Sequence, residues 1–226
     1  DVLGPVMRGP SSSHTAGSYR IGRLAAALLG EPVRRARFAF DPAGSYSQVY
    51  REQGVDLALA AALQGWELTA ERFDDALDAA RAAGINLAFA VESLPDADHP
   101  NTIDIELAGV AGGLLSARAR STGGGSISLD RLGGWPVALD GTAGELLVET
   151  EAAGIEVLAD ILSRQPGRRE PLRRQKAGSL CLLHVRLDDP PEDAAASLLQ
   201  TCQGVRRIWS APPLYPVIRG EPMFRS

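Results

Sequence analysis

The sequence predicts an α/β or α+β protein built in two parts, on the strength of three observations. Apolar residues recur at helical spacing in some segments and alternate in others, so helices and strands interleave along the chain. A turn-rich break, Leu139-Asp140-Gly141-Thr142-Ala143-Gly144, divides the 226 residues into two stretches, each long enough to bury a core. Beyond Ala211 the composition turns to proline. Domains are therefore expected over 1–140 and 141–212, with a proline-rich tail over 213–226.

In chain order, Ile21, Leu24, Ala25, Leu28 and Leu29 have the i, i+3, i+4, i+7, i+8 spacing of a helix running to Gly30. Over 33–40, Ala36, Phe38 and Phe40 alternate with Arg35, Arg37 and Ala39, which predicts a strand with one covered face. Asp41-Pro42-Ala43-Gly44-Ser45 breaks it with turn residues. Helices are expected over 55–63, stopped at Gly65, and from Thr69 as N-cap through Phe73 and Leu77 to Gly84. Strands are expected over 86–91, 102–107, 114–120, 126–129 and 136–139. After the break come a strand over 145–149, a helix over 154–163, a strand over 179–187, a helix over 192–200 and a strand over 205–210.

Between the first helix of that second part and its next strand lies Gln165 to Lys176, too polar for a strand; Arg168, Arg169, Arg173 and Arg174 read as a solvated loop, with a contact to an acidic partner as the sharper alternative. His184 alternates with Leu183 and Val185 and reads as structural. Tyr215, Ile218, Met223 and Phe224 of the tail want cover from a neighbouring chain or their own domain.

A net charge of -5 argues against nucleic acid as a partner. No apolar run approaches the roughly 20 residues that span a bilayer, so no membrane is expected, and with no cleavable signal at the start a cytoplasmic location is. The two cysteines, Cys181 and Cys202, sit in apolar settings as small buried hydrophobes.

Three stretches carry candidate chemistry. Gly9-Pro10-Ser11-Ser12-Ser13-His14-Thr15-Ala16-Gly17 ends where the first helix begins. Unpaired N–H groups and the helix dipole favour an anion there, so a carboxylate suits the loop. A histidine among four hydroxyls can bind or transfer a proton; an N-cap with spare serines is the plainer reading. In Pro95-Asp96-Ala97-Asp98-His99-Pro100-Asn101-Thr102, prolines enforce an extended loop that sends His99 and Asn101 to one region, suited to a small amino acid unless it is only a turn. Gly123, Gly124 and Gly125 need positive φ or the close approach of a ligand or partner backbone, or form a flexible hairpin tip.

The run Leu3-Gly4-Pro5-Val6-Met7-Arg8-Gly9-Pro10-Ser11-Ser12-Ser13-His14-Thr15-Ala16-Gly17, with Arg20-Ile21-Gly22, resembles the opening of the beta chain of iron-sulfur-dependent L-serine dehydratase. Gly44-Ser45-Tyr46, Asp98-His99-Pro100-Asn101-Thr102 and Ser121-Thr122-Gly123-Gly124-Gly125 follow in the same order, so the likeness covers residues 1–140 well and the rest loosely. It implies an allosteric substrate-binding type of domain. The element order after the break resembles an ACT domain, a βαββαβ module, with one strand missing.

The activity implied is that of an L-serine ammonia-lyase: loss of water from L-serine, then release of pyruvate and ammonia. The implied [4Fe-4S] cluster, whose open iron would act on the substrate hydroxyl, is held by an alpha subunit, since two cysteines cannot hold it here. The resemblance further implies catalytic roles for Ser13, His14 and Thr15, and substrate binding by Ser11, Ser12, Ser13, Gly123 and Gly124. His99 and Asn101 are implied to bind L-serine as an effector, in a homo- or hetero-oligomer.

One departure stands out. The family commonly carries Gly-His-Gly-Thr-Asp where this chain reads Glu52-Gln53-Gly54-Val55-Asp56, and glutamine cannot shuttle a proton near neutral pH. Three readings remain: a beta-type dehydratase subunit, a non-catalytic amino-acid-binding regulatory module, and a structural assembly protein.

Overall fold

The computed structural model describes residues 11–189 and 199–215. Contacts divide the chain into two compact units, one ending at Asp140 and joined by Trp209–Ala211, the other covering Gly141–Ile208.

In the first unit the spacing of Ile21, Leu24, Ala25 and Leu28 produces helix α1 (Gly17–Leu29), which buries all four. Strand β1 (Val33–Phe40) follows and buries Ala36, Phe38 and Phe40, but also Ala39, so both of its faces are covered near its end. Helices α2 (Ser45–Val49) and α3 (Val55–Leu63) come next. The single helix expected from Thr69 is instead a 3-10 turn, Glu71–Asp75, leading into α4 (Ala76–Ala82). Ala70, not Thr69, stands at its N-cap without a side-chain bond; the chain tightens as Phe73 turns into the core cluster of Leu68 and Ala76.

These helices form the crossover that lets β2 (Asn86–Val91) run parallel to β1. Strands β3 (Thr102–Gly109), β4 (Leu114–Gly123), β5 (Ser126–Leu132) and β6 (Trp135–Leu139) then add antiparallel, giving the order β2-β1-β3-β4-β5-β6. The register aligns one apolar row, Phe89, Phe38, Ile105, Ala117 and Leu132, across five strands. Helix α1 lies over β3, β4 and β5, and α3 packs on α1. With one parallel pair in an otherwise antiparallel sheet, the class is α+β.

The second unit has β7 (Gly144–Glu151), a 3-10 turn Ala152–Gly154, α5 (Ile155–Ser163), β8 (Arg173–Ala177), β9 (Leu180–Leu187) and the first four residues of β10 (Val205–Ala211), with sheet order β10-β7-β9-β8. Leu146, Val148, Leu158, Leu162, Leu183 and Val185 form its core.

The arginine-rich stretch corrects the sequence reading, because Arg173 and Arg174 lie in a strand. β8 pairs with β9 on one side only and none of its side chains is buried, so its backbone hydrogen bonds hold it without apolar residues. Arg169 bonds Asp188 at 2.9 Å and Arg174 bonds Glu156 at 3.1 Å, so acids of this chain already hold these cations. His184 is 3% exposed, its Nε2 2.7 Å from Glu145 Oε2, while Arg186 reaches Glu145 Oε1 at 3.1 Å; the buried carboxylate has a partner on each oxygen. The opening residues up to Pro10, most of the helix expected over 192–200 and the tail beyond Tyr215 lie outside the described residues.

Candidate active site

The serine-histidine run folds into a five-residue π turn, Ser12–Ala16, closed where the Gly17 N–H donates to Ser12 O, and it continues directly into α1. Such wide turns place successive side chains irregularly and are frequent at functional sites. Ser11 precedes the turn in extended conformation, and its Oγ accepts the His14 backbone N–H at 3.3 Å. The same Oγ lies 2.7 Å from His14 Nδ1, and Ser45 Oγ lies 3.0 Å from His14 Nε2. Both ring nitrogens thus meet a hydroxyl. The Tyr46 ring stands edge-on to the imidazole, 5.2 Å between centroids at 81°.

Burial lowers the His14 pKa from its ordinary 6.5, so the imidazole is neutral at neutral pH. The Tyr46 phenol is pushed up to about 12 by burial, against the hydroxyl bonds that lower it. It stays protonated and donates to Ser13 O at 3.0 Å while accepting from Ser18 Oγ at 3.1 Å. Thr15, 2% exposed, donates its hydroxyl proton to Gln53 O at 2.9 Å. Among the described residues the hydroxyls of Ser12 and Ser13 have no partner, and both residues are half-buried.

Ser45 opens α2, and its N–H donates to Pro100 O at 2.7 Å. That approach requires glycine before it, because a Cβ on Gly44 would lie 2.6 Å from the same carbonyl. His99 Nδ1 accepts the Asn101 N–H at 3.1 Å, which curls the loop, and Asn101 Nδ2 reaches Ser121 O at 3.4 Å. The two stretches read separately in the sequence therefore meet: the His99-Pro100-Asn101 loop rests on the residue that holds His14.

Gly123, Gly124 and Gly125 all have positive φ at the β4–β5 hairpin, and the Gly125 carbonyl accepts from Arg20 Nη1 of α1 at 2.5 Å. A Cβ on Gly123 or Gly124 would meet nothing within 4 Å. Two buried acceptors, Gln53 Oε1 and Asn101 Oδ1, have no hydrogen-bond partner among the described residues. Sequence reasoning did not assign roles to Ser45 and Tyr46, although Gly44-Ser45-Tyr46 was itself one of the recognised strings.

No protein-family model matches the chain. It is 35% identical over 198 residues to a "Probable L-serine dehydratase, beta chain" of Bacillus subtilis (strain 168), covering 85% of this chain and 88% of that one. The chain belongs to the L-serine dehydratase beta-chain family. A second relative, the "L-serine dehydratase, beta chain" of Peptoniphilus asaccharolyticus, is 29% identical over 215 residues, 93% of this chain and 95% of its own.

An iron-sulfur cluster requires thiolates, which the resemblance would place on another subunit. Cys181 is buried in the core of the second unit and Cys202 is half-buried; the first unit holds no cysteine. Among the described residues no three His, Cys, Asp or Glu side chains converge as metal ligands, so these residues do not fit a cluster. Among them, too, no helix is long and apolar enough to cross a membrane.

Proposed function

We propose that this chain is the beta subunit of an L-serine dehydratase, an L-serine ammonia-lyase working with an alpha subunit that carries the [4Fe-4S] cluster. The observation that carries the reading is the His14 imidazole, neutral and bonded at both nitrogens, in a chain of this family. The overall change is loss of the α-proton and the β-hydroxyl of L-serine as water, leaving an enamine; its imine tautomer takes up water and separates into pyruvate and ammonia.

In this proposal Ser12 and Ser13 hold the substrate carboxylate with their unpartnered hydroxyls. Gln53 Oε1, buried and without a donor, accepts from the substrate ammonium. His14 takes or returns a proton at one nitrogen, while Ser11 and Ser45 hold the ring. Thr15 is a positioning residue, since its hydroxyl is committed to Gln53.

Gln53 then binds where its relatives' histidine would titrate, and proton transfer falls to His14. L-Serine held as effector by His99 and Asn101 would bear on Ser45 through the Pro100 carbonyl, which supplies a route to His14. The strand order of the second unit supports the ACT-like reading, with β8 as the strand absent from the sequence pattern. A cytoplasmic enzyme, assembled as an oligomer, completes the proposal.

The test is anaerobic isolation of the chain with its bound partner, then pyruvate release from L-serine and iron content measured on one sample. Iron-dependent pyruvate from a two-chain complex is expected. Serine binding with neither partner nor turnover would overturn the reading in favour of a regulatory module.

A further inference from the structure

Segment 51–56, helix α4 and strand β2 enclose an open cleft of about 470 Å3, within the range of small-molecule sites. None of the residues lining it belongs to the serine-histidine constellation. Asp56 stands out among them: it is 7% exposed, and one carboxylate oxygen accepts the Leu57 N–H at 2.8 Å. Among the described residues no cationic side chain bonds it. Burial raises its carboxyl above the ordinary range, against the Leu57 N–H bond and, more weakly, the pull of Arg51.

Arg51 lies over the Tyr50 ring, 5.2 Å from its centroid, and has no ion pair among the described residues. Arg81 stands exposed, paired with Asp78 at 2.7 Å. Leu77, Leu87 and Phe89 supply an apolar wall, with Phe89 stacked on Tyr50 at 5.9 Å.

We infer that this cleft is a second ligand site that takes a free α-amino acid with an apolar side chain. Its ammonium meets Asp56, its carboxylate meets Arg51 with Arg81 beside it, and its side chain covers Leu77, Leu87 and Phe89. A phosphate-bearing ligand suits the cleft less well, because the buried Asp56 carboxylate would repel it; a neutral apolar ligand would leave that carboxylate without a counter-charge. The site is tied to His14 through the chain itself. Gln53 lies on the same segment as Arg51 and Asp56, and its carbonyl holds Thr15 beside His14. Occupancy therefore steadies the segment that positions the serine-histidine turn, a regulatory consequence that rests on the dehydratase reading. The binding itself does not.

Titration calorimetry of the full-length chain with L-leucine, and with 4-methylpentanoate, which lacks only the ammonium, tests the site. L-Leucine is expected to bind and 4-methylpentanoate to bind about tenfold more weakly or worse, the scale of one charged hydrogen bond. Asp56→Asn and Arg51→Gln should each weaken L-leucine by a similar factor; Arg51 is exposed, so that variant keeps its fold. His14→Ala should leave the affinity for L-leucine unchanged. No binding of L-leucine at millimolar concentration, equal binding of both probes, affinity indifferent to both substitutions, or loss of binding in folded His14→Ala would each overturn the inference. Pyruvate release is not the readout, so failure here is distinct from failure of the dehydratase reading.

Discussion

His14 shows how a common side chain becomes a specific one. The free imidazole titrates near 6.5, and burial beside Tyr46 lowers that value, so the folded chain binds the proton only at more acidic pH. Stability from this group is then full above pH 6.5 and falls as pH drops from 6.5 to the lowered value. The acid limb of kcat/KM for L-serine should likewise break below pH 6.5; a break above it in the assembled enzyme would contradict a buried neutral His14. Gly125 offers a second test at this scale. Its φ is 78° and a Cβ there would lie 1.9 Å from Arg20 Nη1, so Gly125→Ala should cost about 1–3 kcal/mol in urea unfolding. The serine-histidine run was legible because its residues are neighbours in sequence. Ser45, which completes the His14 clamp from 31 positions away, was not, since nothing local says which hydroxyl will face the second nitrogen.

Among the elements, α3, buried nearly all round, was legible from its run of alanine and leucine, whereas periodicity located α1 and β1 because each has apolar positions at a regular spacing to match. It passed over α2, whose five residues span little more than one turn, yet that turn delivers Ser45 and Tyr46 to the site. It also passed over β8, because an edge strand with both faces wet has no apolar alternation to show. Helix α1 holds its place through close contact with α3: a Cβ on Gly22 would stand 2.7 Å from Ala62 Cβ. Gly22→Val should therefore force the helices apart and destabilise by about 1–3 kcal/mol, read as a lower denaturant midpoint. Since α1 begins at the π turn, the same variant should lower turnover of the assembled enzyme.

Taken whole, the chain supplies an α+β frame that gathers hydroxyls, an imidazole and amide oxygens, and no set of cluster ligands among its described residues. The contact division falls at Asp140, inside the turn-rich stretch 139–144; the meeting of the His99 loop with His14 was not legible, because it depends on sheet order. Residues 41–45 and 99–101, distant in sequence, become neighbours only once β1 and β3 pair with Phe40 opposite Ile103. The central claim is that His14 on this chain serves the dehydration when a cluster-bearing alpha subunit is present. The most direct measurement compares pyruvate release from L-serine by anaerobically assembled enzyme carrying the native chain or His14→Ala, with iron content and assembly checked on both. Loss of about 10²–10⁴-fold in kcat, with iron and assembly intact, is the expected result. Undiminished turnover in an assembled, iron-replete His14→Ala enzyme would contradict the account.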